Sequence, residues 1–401
     1  MSERRVGLWL IGAFGGVGST TALGVAALAR GLTAPTGLTT ALPRFAAVPL
    51  DPLEAFVVGG HDVRQSSLTR GAAELHARSG VFDGRLLEAC GPQLDDWSRN
   101  VRPGVVYRPN PVIAAMADRP DVRPAATPQA AVEQVQSDLR QFQSEHRLDQ
   151  LVVINAASTE PPFESGDEHR TLAALEAVLD RTTPAVLPTS GLYAYAALDA
   201  GFPYVNLTPS LGASLPALEE LARKRKVPHA GQDLKTGETL LKSALAPMFA
   251  RRNLRVLSWV GHNILGNRDG LVLADPQNKA SKVKTKDALL GELLGYRPQS
   301  LVSIEYIESL DDWKTAWDHV HFEGFLGTKM TLQFTWQGCD SILAAPLVID
   351  LARLALHAQR RGEAGVVRDL AAFFKGPLGV AEHDFGKQFE MFEGYLANGR
   401  R

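Results

Sequence analysis

Apolar residues open the chain in an unbroken run, VGLWLI at 6–11, which predicts a buried strand. A glycine cluster follows at once. TTALGVAALARG then shows apolar positions at helical spacing and a glycine stop. Strand, glycine turn and helix in succession predict the opening of a dinucleotide-binding unit. DQLVVINAAS (149–158), PAVLPTS (184–190) and FPYVNLTPS (202–210) read as short strands ending in small polar residues. AAVEQVQSDLRQFQSE (130–145) and HRTLAALEAVLDR (169–181) carry helical spacing between them. Residues 90–130, rich in Pro, Asn and Arg, predict a long loop. The fold class is therefore α/β: a doubly wound parallel, Rossmann-like sheet with ligands at the carboxyl ends of its strands.

The pattern changes after about residue 235. LRVLSWVGHN, SLVSIEYIESL, AWDHVHFEGFL and KMTLQFTWQG alternate, with many β-branched and aromatic residues. They predict a second, more antiparallel sheet. SILAAPLVIDLARLALHAQRR (341–361) returns to helical spacing and is expected to pack back on the first unit. The expected organisation is 1–235 as a dinucleotide-binding, Rossmann-like domain, 236–340 as an α+β domain, and 341–401 as a returning segment. There are no internal repeats and no low-complexity tract.

Composition narrows the function classes. The 401 residues are 45% hydrophobic and 21% charged, and the formal net charge of −2 offers no global basic field for nucleic acid. Two cysteines, Cys90 and Cys339, make no disulfide framework and fit a reducing, cytoplasmic setting. Arg4 and Arg5 before an apolar run resemble a signal peptide, but Gly12, Gly15, Gly16 and Gly18 interrupt it. No later stretch reaches the ~18 uninterrupted apolar residues of a membrane span.

The glycine loop GAFGGVGST, Gly12 to Thr20, spaces its glycines G-x-x-G-G-x-G, with Phe14 where the second glycine of G-x-G-x-x-G would stand. It still lets the backbone approach a pyrophosphate at a helix N-terminus. Asp62 in GGHD could offer a carboxylate to the cofactor ribose, or simply serve a turn. AGQDLKTGET (230–239) and GHNILGNRDG (261–270) are polar, glycine-rich loops suited to phosphate or sugar hydroxyls, or to surface turns. Lys279, Lys282, Lys284 and Lys286 crowd the stretch before an amphipathic pattern, where a helix start favours acids. Taken alone, they read as a basic surface patch.

These stretches together resemble the myo-inositol-1-phosphate synthase family from end to end. GAFGGVGST looks like its glycine loop, FVVGGHDV like G-G-W-D-I, and VINAASTE like W-T-A-N-T-E. SGLYAYAALDAGFPYVNLTPS resembles the segment ending N-G-S-P-Q-N-T. GQDLKTGET is similar to D-D-L-K-S-G-Q-T, GHNILGNRDG to S-Y-N-H-L-G-N-N-D-G, and GCDSILAAPLVIDL to C-E-D-S-L-L-A-S-P-L-I-I-D-L. The resemblance implies an enzyme that binds NAD and an open-chain hexose 6-phosphate. Oxidation of a ring-carbon alcohol acidifies the neighbouring C–H, the enolate attacks the C1 aldehyde, and the hydride returns. It also implies a homotetramer built through the second sheet, with no nucleic-acid or membrane partner.

Carried over position by position, the resemblance assigns catalysis to Lys282 and Lys286 in SKVKTK, Lys314 in DWKTAWD and Lys375 in FFKGPL. Ammonium groups can serve phosphate, enolate and oxyanion without an obligatory metal. Cofactor contacts fall on Gly12, Phe14, Gly15, Gly16, Val17, Gly18, Asp62, Asn155, Ala156, Asp233, Asp269, Asp340 and Ser341. Substrate contacts fall on Thr236, Gly237, Glu238, Asn263, Leu265, Gly266, Asn267 and Arg268. Lys279 and Lys284 match nothing and read as surface. The departures cluster around the ligands. NLTPS lacks Gln-Asn-Thr, NAAS replaces W-T-A-N, and Glu238 stands where the family has glutamine near the substrate phosphate. Arg268, in place of Asn, is a candidate to neutralise Glu238. Glucose 6-phosphate is the leading substrate. The alternatives are a relative closing fructose 6-phosphate to a five-membered ring, a sugar-phosphate dehydrogenase releasing NADH, and a non-catalytic nucleotide sensor.

Overall fold

Seven parallel strands form the first sheet of the computed structural model, which describes residues 4–107, 111–122, 124–181, 186–273 and 289–398. The strands are β1 (Val6–Ile11), β2 (Phe56–Asp62), β3 (Val101–Pro103), β4 (Gln150–Asn155), β5 (Tyr204–Asn206), β6 (Pro228–Ala230) and, much later in the chain, β11 (Gly365–Val366). Their order is β11-β6-β5-β4-β1-β2-β3, so the order reverses at β1 and β4. That reversal opens a crevice at the carboxyl ends of the two strands, where ligands of such sheets lie. β1, β2 and almost all of β4 are buried, as expected of strands covered on both faces.

The second sheet has the order β10-β9-β7-β8: β7 (Arg255–Leu265), β8 (Gln299–Tyr306), β9 (Trp313–Glu323) and β10 (Lys329–Cys339). It is mixed: β7 pairs parallel with β8 and antiparallel with β9. One face packs Trp259 and Val320 against Phe249 of the helix Glu238–Arg251. Truncating a buried Trp259 to Ala would cost about 3–5 kcal/mol. The other face carries Trp317 and Leu301, about half exposed.

Helix Asp340–Arg360 leaves the second sheet and packs on the helix Gly16–Ala29 and on β4. By length and hydropathy it could cross a membrane, but it is mostly buried inside the fold, as a core helix is.

Three expected elements differ. The helix Gly84–Ser98 runs into the long loop predicted at 90–130, and Cys90, Leu94 and Trp97 on one face enter the core. Pro92 lies within that helix and obscures its spacing. The strand expected at 184–190 is not one: Thr189 begins the helix Thr189–Asp199, whose N-terminal N–H of Ser190 is met by Glu160. Residues 182–185 lie outside the described ones. The helix expected at 169–181 is regular only over Leu172–Glu176.

Candidate functional site

The glycine loop joins β1 to the helix Gly16–Ala29, and its shape is dictated by close packing. Gly12 has φ +82°, and a Cβ there would lie 3.0 Å from the Ala156 carbonyl oxygen. Gly18 has no room either: a Cβ would meet the Ala13 carbonyl oxygen at 2.4 Å. Gly15 is different, since a Cβ would meet nothing but the Gly12 oxygen, at 3.1 Å. Space in front of the loop is therefore open, which suits a pyrophosphate approaching the helix N-terminus. Phe14 is buried and Val17 half-buried beside this opening. Asn155 and Ala156, at the end of β4, back the loop. The Ala156 N–H donates to the Ile11 oxygen and the Asn155 amide donates to Asn206 Oδ1 at 3.1 Å.

Asp62 ends β2 and points into the loop: its Oδ2 accepts the Phe14 N–H at 2.7 Å. Burial pushes its carboxyl up despite Arg64 nearby.

Gly16 also touches the start of the long helix, where a Cβ would lie 2.4 Å from Ser341 Oγ. Behind Ser341 stands Asp312, which sequence reading missed. Asp312 Oδ2 accepts the Ser341 N–H at 2.7 Å and the Cys339 thiol at 2.8 Å. Its Oδ1 accepts the Ser341 hydroxyl at 3.1 Å and the Asn267 amide at 3.3 Å. Burial, then the charge of Asp340, pushes the Asp312 carboxyl up. Lys314 Nζ lies 3.8 Å from Asp340 Oδ2. One carboxylate thus ties Asn267, the start of the helix Asp340–Arg360 and the strand bearing Lys314.

Lys375 is fixed separately. Its Nζ donates to Asp233 Oδ1 at 2.7 Å, and its N–H to the Asp233 carbonyl at 2.6 Å. Asp233 sits in the left-handed region, φ 60°, which Asp tolerates better than most residues. Two residues on, Lys235 is buried and donates to Gln388 Oε1 at 2.6 Å. Burial first, then the Lys375 charge, lowers the Lys235 ammonium to about 7.

Thr236 is half-buried and Gly237 buried at the start of the helix Glu238–Arg251. Glu238 is buried, but Arg268 does not neutralise it. Arg268 Nη2 lies 3.9 Å from Glu74 Oε2, half exposed on another face. Lys242 takes that role instead, 2.5 Å from Glu238 Oε1 and one helical turn along, because i and i+4 share a helix face. Asn263 donates to Glu238 Oε2 at 2.6 Å. Leu265 is buried, and Gly266 is packed so tightly that a Cβ would meet the Ile307 oxygen at 2.3 Å. Asp269 lies in the helix Arg268–Leu273. Lys279, Lys282, Lys284 and Lys286 lie outside the described residues.

A parallel sheet whose reversal point carries such a loop defines a dinucleotide-binding enzyme fold. Comparison with known proteins names the family. A model described as myo-inositol-1-phosphate synthase matches residues 6–396, and the chain belongs to that family. It is 33% identical to inositol-3-phosphate synthase 1 of Bacteroides thetaiotaomicron over 98% of this chain and 95% of that protein. It is 31% identical to inositol-3-phosphate synthase 1 of Oryza sativa subsp. japonica over 77% of this chain and 61% of the rice protein. The crystal structure of inositol-3-phosphate synthase from Caenorhabditis elegans superposes with a TM-score of 0.88 at 25% identity, covering 99% of this chain and 86% of that one. The protein is an enzyme, and its cofactor is NAD.

Proposed function

We propose that the protein closes glucose 6-phosphate to a myo-inositol phosphate by an intramolecular aldol reaction. The match to an inositol-3-phosphate synthase over nearly the whole chain carries this reading. When bound, NAD takes a hydride from a substrate alcohol and later returns it, so the net reaction is an isomerisation. The loop Gly12–Gly18, with Asn155, Ala156 and Ser341 behind it, holds the dinucleotide. Asp62, Asp233, Asp269 and Asp340 are assigned to the same cofactor.

Lys375 Nζ donates to Asp233 Oδ1 at 2.7 Å, and this pair is able to pass a proton to or from the substrate. Lys314, beside Asp340, places positive charge where an enolate or alkoxide develops. Lys282 and Lys286 complete the cationic set. Thr236, Gly237, Asn263, Leu265, Gly266, Asn267 and Arg268 are assigned to the substrate side, with Glu238 held neutral overall by Lys242.

A second reading, closure of fructose 6-phosphate to a five-membered ring, is favoured by Glu238, a carboxylate where the resemblance expects an amide. Incubation with NAD and each hexose phosphate, followed by NMR of the products, decides. An inositol phosphate from glucose 6-phosphate is expected. A cyclopentane product, or reduced cofactor accumulating in step with substrate loss, would overturn the leading reading. The bare face of the second sheet, with Trp317 and Leu301 exposed, supports a homotetramer assembled through that sheet. Light scattering tests it. A cytoplasmic setting suits two free, buried cysteines.

A further inference from the structure

Two lysines share one face of the short bridge that holds Lys375, and the proposed mechanism uses only one of them. Residues 233–235 and 373–375 pair antiparallel. Leu234 opposes Phe374, the Lys235 N–H donates to the Phe373 oxygen at 2.8 Å, and the Lys375 N–H donates to the Asp233 oxygen at 2.6 Å. Opposed residues of such a pair share a face, and diagonal ones lie about 7–8 Å apart. Lys235 and Lys375 are diagonal neighbours on that face, so each feels a charge on the other.

The two amines have unlike surroundings. Lys375 Nζ meets the Asp233 carboxylate. Lys235 is 3% exposed. Among the described residues its Nζ meets the Gln388 amide oxygen at 2.6 Å and the Phe385 ring, 5.9 Å from the centroid, and no carboxylate. Both partners belong to the carboxyl-terminal helix Phe385–Asn398. Gln388 is itself fixed, its amide donating to the Glu382 oxygen at 2.6 Å. The acids nearby are taken: Glu292 pairs with His383, Asp384 with Arg251, and Glu382 with Lys387. His383 repels a proton on Lys235 whenever it carries one itself. A buried ammonium without a carboxylate gives up its proton readily, and that of Lys235 is lowered to about 7.

We propose that Lys235 is a positioning residue for the proton step at Lys375: the two amines act as a coupled pair, and Gln388 of the carboxyl-terminal helix sets which of them carries the charge. A neutral Lys235 leaves Lys375 the ammonium of this face. A protonated Lys235 adds a like charge and loosens the Lys375 proton. Turnover should therefore differ above and below the pH at which Lys235 titrates. This rests on the reading of Lys375 as the group that exchanges a proton with the substrate.

The pH profile of kcat, measured with NAD and whichever hexose phosphate turns over, tests it. The unaltered protein should show a step near pH 7. Gln388→Glu keeps the shape of the acceptor and adds a charge, and should move the step up by about one pH unit or more. Lys235→Met should abolish the step. A step that stays in place in Gln388→Glu, or survives in Lys235→Met, would overturn the proposal. Should neither variant fold, NMR of the unaltered protein carrying isotope-labelled lysine decides: one lysine should titrate near pH 7, and none doing so would overturn it. Lys375→Met separates the underlying reading. Full turnover in that variant would remove Lys375 from the reaction and the proposal with it, whereas an inactive Lys375→Met beside an unmoved step in Gln388→Glu would overturn the proposal alone.

Discussion

The Lys242 ammonium lies 2.5 Å from the Glu238 carboxylate, and both side chains are 1% exposed. Removing one partner leaves the other buried and uncompensated. Lys242→Met should therefore destabilise the protein by about 3–5 kcal/mol. The double variant Lys242→Met with Glu238→Gln should recover much of that loss. Urea denaturation of the unaltered protein and the two variants measures it. A cost below about 1 kcal/mol for Lys242→Met would mean that Glu238 does not depend on this partner.

Two glycines of one loop should fail in different ways. Gly15→Asp meets only the Gly12 oxygen, so the fold should survive while the new charge faces the pyrophosphate. NAD affinity should drop by about a hundredfold or more. Gly18→Ala drives a methyl group into the Ala13 carbonyl and should cost about 1–3 kcal/mol of stability. Calorimetry and thermal melts on both variants separate binding from folding. Normal NAD affinity in a folded Gly15→Asp protein would refute the placement of the cofactor.

Asp312 accepts four hydrogen bonds from three residues. Asp312→Asn swaps one acceptor oxygen for an NH2 that must face donors. The expected loss is about 1–3 kcal/mol in stability. A fall in kcat/KM should accompany it, because Ser341 and Asn267 are positioned through this carboxylate. Turnover equal to that of the unaltered protein, with a lowered melting temperature, would restrict Asp312 to a structural role.

Lys235 makes stability depend on alkaline pH. Burial and Lys375 hold it at about 7, against an ordinary 10.5. Between those values the unfolded chain keeps the proton that the folded chain has released. Stability should therefore rise with pH, by up to about 1.4 kcal/mol per unit, between about pH 7 and about pH 10. Lys235→Met should flatten that rise. Denaturation midpoints compared at neutral and alkaline pH report it, and an identical slope in the variant would show the lysine to be charged in the folded protein.

Local pattern was enough for β1, β4 and β5 of the parallel sheet, because buried parallel strands are continuous apolar runs; β2, β3, β6 and β11 were not read as strands. VGLWLI and QLVVIN are such runs, and the alternating stretches after residue 235 became β7–β10. The helix at 84–98 was not legible, because Pro92 and a half-buried face blur its periodicity. The site was legible where chemistry sits in a motif, as in the glycine loop. Asp312 was not, since its meaning lies in a tertiary meeting of three segments. Lys242 could have been found from the i, i+4 spacing to Glu238 alone, whereas Arg268 misled because neighbouring loops in a resemblance need not share a face.

β11 joins the edge of the first sheet beside β6, and the helix Asp340–Arg360 covers β4 and the first helix. The amino-terminal sheet is thus completed by residues made some 360 positions after its first strand. On the ribosome, the nucleotide-binding half emerges long before its own lining, and its apolar surface must wait for most of translation. A chain ending at residue 339 should therefore aggregate or bind chaperones rather than behave as a stable NAD-binding fragment, which expression and solubility of that truncation would show.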